Sequence, residues 1–134
     1  MVVCPKNDDD VAAVLRMCRE RSVPLTSRGG GTSVAGNAVG EGVVLDFSRY
    51  MNAIEVDPVA RTARVQPGVV MSDLQAAAAP YGLRFGPDPS TQNRATLGGM
   101  IGNNACGPHA VAWGRTADNV VSLECLDGMG RRFT

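Results

Sequence analysis

The apolar positions near the start of the chain change from strand-like to helical spacing. An apolar run at residues 2–4 predicts a first strand. Asn7 is a typical N-cap, and the acidic residues 8–10 suit the first turn of a helix. Apolar residues then recur at i, i+3, i+4 and i+7 in Val11, Val14, Leu15 and Cys18. This spacing predicts an amphipathic helix that closes before Pro24, and residues 24–27 are predicted to form the next strand.

The following pattern predicts more short strands and one further helix. The predicted strands are residues 43–45, 54–56, 62–65 and 120–126. The second and third of these flank a turn and form a predicted hairpin. Ser72 can cap a helix that runs through Ala79 and ends at Pro80. A second hairpin is predicted to begin at Asp127 and return through 131–134, so short strands and helices alternate along the chain.

Apolar residues show no regular helical or strand-like spacing between residues 85 and 114, where prolines, glycines and asparagines dominate. A structureless stretch of about 30 residues in a compact domain is expected to be functional or to be ordered by a partner. Glycines concentrate here and in an earlier stretch, residues 29–42. Two loops with such unusual backbone freedom predict one bipartite site.

The earlier stretch begins Arg28-Gly29-Gly30-Gly31-Thr32-Ser33-Val34-Ala35-Gly36 and has the chemistry of an anion site. Consecutive glycines allow positive φ, and successive backbone N–H groups can then converge into a nest that binds phosphate. The dinucleotide fingerprint G-x-G-x-x-G is absent, and Asn37-Ala38 stands where a P-loop needs Lys followed by Ser or Thr. The alternative is an ordinary glycine-rich surface loop.

Composition and charge indicate which partners, location and metal sites to expect. The chain has 134 residues, a length typical of one domain, and its 13 basic residues balance 13 acidic ones, so nucleic acid is not an expected partner. No apolar stretch reaches the roughly 20 residues that span a bilayer and no signal-peptide pattern is present, so we expect a cytoplasmic protein. The cysteines Cys4, Cys18, Cys106 and Cys125 are too scattered for a zinc site, and His109 is the only histidine. We therefore expect no metal site. The thiols of Cys4, Cys18 and Cys125 are expected to be buried, and Cys106 is set apart because it lies in the later loop.

The later loop, residues 85–109, is rich in hydroxyls, amides and backbone donors and carries little charge. This chemistry suits hydrogen bonding to a neutral polar heterocycle and its phosphate linker. The nearby titratable groups are Asp88, Arg94 and His109, a set that suits acid–base catalysis poorly. We therefore expect binding residues here and no catalytic residue.

Five motifs follow one another along nearly the whole chain. They read Pro24-Leu25-Thr26-x-Arg28-Gly29-Gly30-Gly31-Thr32-Ser33-x-Ala35-Gly36, Gln66-Pro67-Gly68-Val69, Gly86-Pro87-Asp88-Pro89-Ser90-Thr91, Thr96-Leu97-Gly98-Gly99-Met100-Ile101-x-Asn103-Asn104-Ala105-x-Gly107 and Gly114-Arg115-Thr116-x-Asp118-Asn119-Val120. Together they resemble the FAD-binding domain of the vanillyl-alcohol oxidase/p-cresol methylhydroxylase (PCMH-type) family, in its glycolate oxidase and D-lactate dehydrogenase branch.

The resemblance implies two small α+β subdomains, residues 1–48 and the chain from about 49 onward, with an extended FAD between them. The glycine nest would take the pyrophosphate, and the later loop would line the flavin and ribityl side. The residues implied in cofactor binding are Arg28, Gly29, Gly30, Gly31, Thr32, Ser33, Gly36, Pro87, Asp88, Ser90, Thr91, Thr96, Gly98, Gly99, Gly102, Asn103, Asn104, Ala105 and Gly107. Many relatives attach the flavin to a histidine at the position of Thr32, so the resemblance implies a non-covalent FAD. His109 matches no attachment residue, and we interpret it as a polar surface or interdomain residue.

The resemblance also implies an activity for a longer protein. The substrate domain of the relatives has no counterpart here and the last hairpin is cut off, so we expect an incomplete FAD-binding domain that alone binds FAD weakly, lacks activity and is prone to self-association. The whole protein is expected to oxidise the CH–OH group of a small 2-hydroxy acid, with hydride transfer to flavin N5. Electrons would leave to a non-NAD acceptor, such as a membrane-peripheral acceptor or an iron–sulfur domain or subunit. An FAD-binding module without turnover and an oxidase of sugar alcohols or aldonolactones stay open as alternatives.

Overall fold

The first part of the molecule is a three-stranded parallel sheet with one helical crossover. A computed structural model describes residues 1–134. Strands β1 (Val2–Val3), β2 (Leu25–Arg28) and β3 (Val43–Asp46) lie in the order β1-β3-β2, and α1 (Asp8–Glu20) connects β1 to β2. The Oδ1 atom of Asn7 accepts the backbone N–H of Asp10 at 2.9 Å, which confirms the predicted N-cap.

The remainder combines two hairpins with short helices. Its elements are β4 (Ile54–Asp57), β5 (Thr62–Val65), α2 (Met71–Ala78), α3 (Leu97–Asn103), α4 (Ala110–Trp113), β6 (Cys125–Leu126) and β7 (Arg132–Phe133), with 3₁₀ turns at Ala79–Tyr81 and Ala117–Asn119. Both predicted hairpins form: β4 pairs antiparallel with β5, and β6 with β7. None of the helices has the length and hydrophobicity needed to cross a membrane.

Two separate clusters of buried side chains form the core. The first contains Val11, Leu45 and Met51, and Leu126 of the last hairpin packs against it. The second consists of Val69, Met71, Leu74, Ala95, Leu97 and Met100. The elements therefore assemble around two centres, while the predicted subdomain boundary near residue 48 stays a prediction.

The segment 85–114, expected to be structureless, contains the helices α3 and α4, so that expectation is wrong. Thr96 caps α3, since its Oγ1 atom accepts the backbone N–H of Gly99 at 3.4 Å. Ser72 does not cap α2, which begins one residue earlier, at Met71. The first turn of α2 uses the later loop instead, because the N–H groups of Met71 and Ser72 donate to the carbonyls of Ala95 and Gln92.

Two further predictions, one about the strand at residues 120–126 and one about the cysteines, differ in part from the structure. Only Cys125 and Leu126 of the predicted strand 120–126 pair with another strand, because no strand lies beside residues 121–124. All four cysteines are free thiols, and Cys106 is exposed. Cys18 is buried as expected, whereas Cys4 and Cys125 are half-buried.

Candidate functional site

The loop between β2 and β3, residues 29–42, forms one wall of a polar cleft of about 200 Å³. We call it the glycine loop. None of the backbone N–H groups of residues 29–33 donates a hydrogen bond within the protein, although all of these residues line the cleft. Gly31 has a φ of 67°, a left-handed conformation that a nest of converging N–H groups uses. The wall therefore presents a row of available donors.

The opposite wall is built from α3 and the residues that lead into it. The residues of this wall that line the cleft are Thr91, Ala95, Thr96, Gly99, Met100, Asn103 and Ala105. The two walls touch at the base of the cleft: a Cβ atom at Gly29 would overlap the side chain of Thr96, and one at Gly30 would overlap the carbonyl of Arg94. Glycine is needed at both positions because the walls approach so closely.

The start of α3 is fixed by the segment 67–70. Thr96 is fully buried and forms an isolated bridge with Val70. The N–H of Leu97 donates to the carbonyl of Val69 at 2.8 Å, and that of Gly98 to the carbonyl of Pro67 at 2.9 Å. The second sequence motif thus contributes to the site by positioning α3.

The end of α3 is fixed by the fifth sequence motif. Asn104 ends the helix with a φ of 46°, and its Oδ1 atom accepts the N–H of Ala117 at 3.0 Å. The hydroxyl of the fully buried Thr116 donates to the carbonyl of Ala105 at 2.6 Å. Asn104 therefore holds the chain that leaves the cleft, and its side-chain oxygen is already engaged.

A chain of side-chain hydrogen bonds crosses from the glycine loop to α3. The hydroxyl of Ser33 donates to Asn37 Oδ1 at 3.1 Å, and Asn37 Nδ2 donates to Asn103 Oδ1 at 2.8 Å. Asn103 Nδ2 in turn donates to the carbonyl of Gly99 at 3.0 Å. All three side chains belong to residues that line the cleft. We call this the cross-wall chain.

Arg28 supports the glycine loop from behind. Its Nη1 atom donates to the carbonyl of Ala38 at 3.1 Å, and its Nε atom lies 3.8 Å from the Asp46 carboxylate. A Cβ atom at Gly31 would overlap the guanidinium. Arg28 therefore holds the loop in place and is not among the residues that line the cleft.

Asp88 and His109 join two irregular segments beside the cleft. His109 Nδ1 donates to Asp88 Oδ2 at 2.5 Å, and the His109 ring stacks on Trp113 with centroids 4.4 Å apart. The hydrogen bond from His109 holds the pKa of the Asp88 carboxyl below its usual 3.8. This pair ties the segment before Thr91 to the start of α4.

The structure brings together part of the predicted set of cofactor residues. Those that line the cleft are Gly29, Gly30, Gly31, Thr32, Ser33, Thr91, Thr96, Gly99, Asn103 and Ala105. Those outside its lining are Arg28, Gly36, Pro87, Asp88, Ser90, Gly98, Gly102, Asn104 and Gly107. Sequence reasoning missed the lining residues Ser27, Asn37, Ala38, Ala95 and Met100. Proximity to the two glycine-rich stretches was the available signal for these five.

The lining of the cleft contains no titratable side chain. Hydroxyls, amides and backbone groups supply all of its polarity. The site can therefore bind and orient a polar ligand, and it has no group of its own for proton transfer at neutral pH.

Comparison with known proteins gives matches over the whole chain. Residues 1–134 match the family described as an FAD binding domain. The chain is 39% identical over 132 residues to the glycolate oxidase subunit GlcD of Escherichia coli, and 46% identical over 135 residues to a D-2-hydroxyglutarate dehydrogenase of Pseudomonas putida. It is 41% identical over 133 residues to a D-lactate dehydrogenase of Archaeoglobus fulgidus. These alignments cover 96%, 98% and 98% of this chain but only 26%, 13% and 30% of the respective relatives.

Solved structures match the same span. The 6-hydroxy-D-nicotine oxidase of Arthrobacter nicotinovorans superposes with a TM-score of 0.88 at 26% identity, over 98% of this chain and 29% of that protein. An alkyldihydroxyacetonephosphate synthase superposes with a TM-score of 0.85 at 26% identity, over 96% of this chain and 24% of that protein. The fold of this chain is thus shared with segments of longer proteins.

Proposed function

Because the chain belongs to the FAD-binding domain family and has its α+β, PCMH-type fold, we propose that the cleft holds the diphosphate of a non-covalently bound FAD. The observation that carries this proposal is the row of unpaired backbone N–H groups at residues 29–33. Backbone donors in folded proteins find acceptors, and the oxygens of a diphosphate would satisfy several of these at once.

A polar group of the opposite wall suits the ribityl part of FAD. Thr91 places a hydroxyl group along this wall, which suits the hydroxyls of a ribityl chain. Thr32 cannot form the histidyl bond that many family members use, and its hydroxyl lies among the lining residues. The predicted site residues outside the lining stay predictions.

The residues of this chain bind and orient, and they carry no acid–base step. When FAD is bound, its flavin supplies the redox chemistry by accepting a hydride equivalent at N5. Since no titratable side chain lines the cleft, the group that accepts the substrate hydroxyl proton must lie outside it.

The relatives point to the substrate class of the whole protein. Those at 39–46% identity are named for glycolate, D-2-hydroxyglutarate and D-lactate, all 2-hydroxy acids. We propose the same class for this protein, with electrons passing to a non-NAD acceptor such as an iron–sulfur partner or a membrane-peripheral acceptor. The description of GlcD as a subunit supports an association with another chain. A location in the cytoplasm and self-association of the chain stay predictions.

Cofactor identity is the first experiment. A protein that has the length of the relatives is mixed with FAD, FMN or NAD and passed through a desalting column, and the retained nucleotide is identified by mass spectrometry after denaturation. We expect FAD to be retained and then released into the supernatant on acid precipitation. Retention of FMN or NAD in its place, or of no nucleotide, would contradict the proposal.

Substrate class is tested on a flavin-loaded protein that has the length of the relatives. Under anaerobic conditions, glycolate, D-lactate and D-2-hydroxyglutarate are added separately and the visible flavin absorbance is followed. Bleaching by a 2-hydroxy acid is expected. Bleaching by a sugar alcohol or an aldonolactone, with no response to the 2-hydroxy acids, would assign the other substrate class.

A further inference from the structure

Asn37 occupies a position in the cleft that the cofactor proposal does not explain. It lies in the exposed part of the glycine loop, yet its side chain bonds to both walls, accepting from Ser33 and donating to Asn103. An amide is suited to this because it carries an acceptor and a donor on the same group. Neither an alanine nor a serine could make both bonds at these positions.

The glycine loop has few other bonds that would hold it against α3. Its internal backbone hydrogen bonds are Gly36 to Ser33 at 3.4 Å and Val39 to Gly36 at 3.2 Å, both long. Arg28 holds the carbonyl of Ala38 toward the first sheet, on the same wall. The contact between Asn37 and Asn103 joins residues 66 positions apart and links the outer part of the loop to the opposite wall.

We propose that Asn37 is a positioning residue that closes the glycine loop over bound FAD by tying Ser33 to α3, and so slows the release of the cofactor. This inference rests on the proposed function. A non-covalent cofactor is retained only as long as its dissociation is slow, and affinity differences between related complexes lie mostly in the dissociation rate. The cross-wall chain acts on that rate because it must open before a ligand beneath it can leave.

The test compares FAD dissociation from the wild-type protein and from Asn37→Ala, both at the length of the relatives, by stopped-flow flavin fluorescence. Asn52→Ala is the matched control, because Asn52 is an exposed loop asparagine whose side chain makes no hydrogen bond. We expect Asn37→Ala to raise the dissociation rate roughly three- to tenfold, the range of one net hydrogen bond. The cross-wall chain is formed without ligand and must also open for FAD to enter, so the association rate should rise by a similar factor. Asn52→Ala should match the wild type in both rates.

A double-mutant cycle with Asn103→Ala identifies the partner. If the cross-wall chain acts as a unit, Asn37→Ala should lose most of its effect once Asn103 is replaced. A dissociation rate of Asn37→Ala within about twofold of the wild type would overturn the inference while leaving FAD binding intact, as would an undiminished effect in the Asn103→Ala background. Failure of the wild-type chain to bind FAD would instead refute the proposed function, and the retention role with it.

Discussion

Gly30 lies where the two walls of the cleft meet, and its lack of a side chain has a structural reason before any ligand is considered. A Cβ atom there would overlap the backbone carbonyl group of Arg94. We therefore predict that Gly30→Ala separates the glycine loop from the start of α3 and lowers FAD affinity by at least about tenfold, since that backbone cannot move aside cheaply. Equilibrium titration with FAD, followed by flavin fluorescence, measures the change.

Gly128 is the matched control for this substitution, because a Cβ atom there meets open space. Gly128→Ala should bind FAD as the wild type does. Wild-type affinity in Gly30→Ala would show that the two walls can shift apart at no cost, and the interpretation of their contact would then be wrong.

Single residues differ in how far the sequence alone could identify them. The glycine run and its hydroxyls were predictable, because such composition has few structural uses and one characteristic use in anion binding. Arg28 was expected among the cofactor-binding residues, but its guanidinium is directed to Ala38 and Asp46. Asn37 was not predictable, since its role depends on a contact with a residue 66 positions away.

At the scale of elements, the main difference from expectation is α3. Three of its seven residues are glycines, which disfavour helix formation. The sequence therefore did not predict a helix here, although its apolar residues have helical spacing. The signals that could have revealed it are the N-cap Thr96 and the i, i+3, i+4 spacing of Leu97, Met100 and Ile101. Bonds from the segment 67–70 stabilise the helix, and such tertiary bonds leave no local trace in sequence.

The link between Asp88 and His109 joins the segment before Thr91 to α4, and it predicts a pH dependence. The His109 hydrogen bond lowers the Asp88 pKa in the folded chain, so ionised Asp88 stabilises the fold above about pH 3.8. That contribution is lost as the pH falls through the lowered pKa. We predict that Asp88→Asn reduces the acid-induced loss in the free energy of unfolding, measured by urea titration from neutral pH downward.

His109→Gln is the companion variant for the acid titration. It removes the main cause of the lowered pKa while keeping a polar side chain, so it should reduce the acid-induced loss to a similar extent. If both variants lost stability in acid as steeply as the wild type, another group would be responsible. Asp127, whose pKa is lowered chiefly by the Arg131 backbone N–H, would then be the carboxyl to replace next.

At the scale of the whole molecule, the charges are balanced and the cleft itself carries none. Backbone dipoles bind the diphosphate in our proposal, and Arg28 is already compensated by Asp46. We predict that the dissociation constant for FAD changes less than about threefold as sodium chloride rises from about 0.1 M to about 1 M, although the Debye length falls from about 10 Å to about 3 Å. Titrations at the two salt concentrations measure this.

A steep weakening of FAD binding with salt would contradict that expectation and would indicate a direct ion pair with the diphosphate. Arg28→Gln and Arg94→Gln would then locate it, because the substitution that removes the salt dependence marks the paired residue. Arg94 is the exposed alternative, since its carbonyl adjoins Gly30 at the base of the cleft.

The packing of Leu126 against Val11 and Leu45 has a consequence for biosynthesis. A ribosome delivers the chain from its first residue onward, so the parallel sheet and α1 emerge long before the hairpin that covers them. Until then, the side of the first cluster that Leu126 later contacts stays uncovered, so the nascent chain exposes apolar surface that the folded chain buries. The buried residues of the second cluster lie between positions 69 and 100. That cluster can therefore pack before the last hairpin is synthesised.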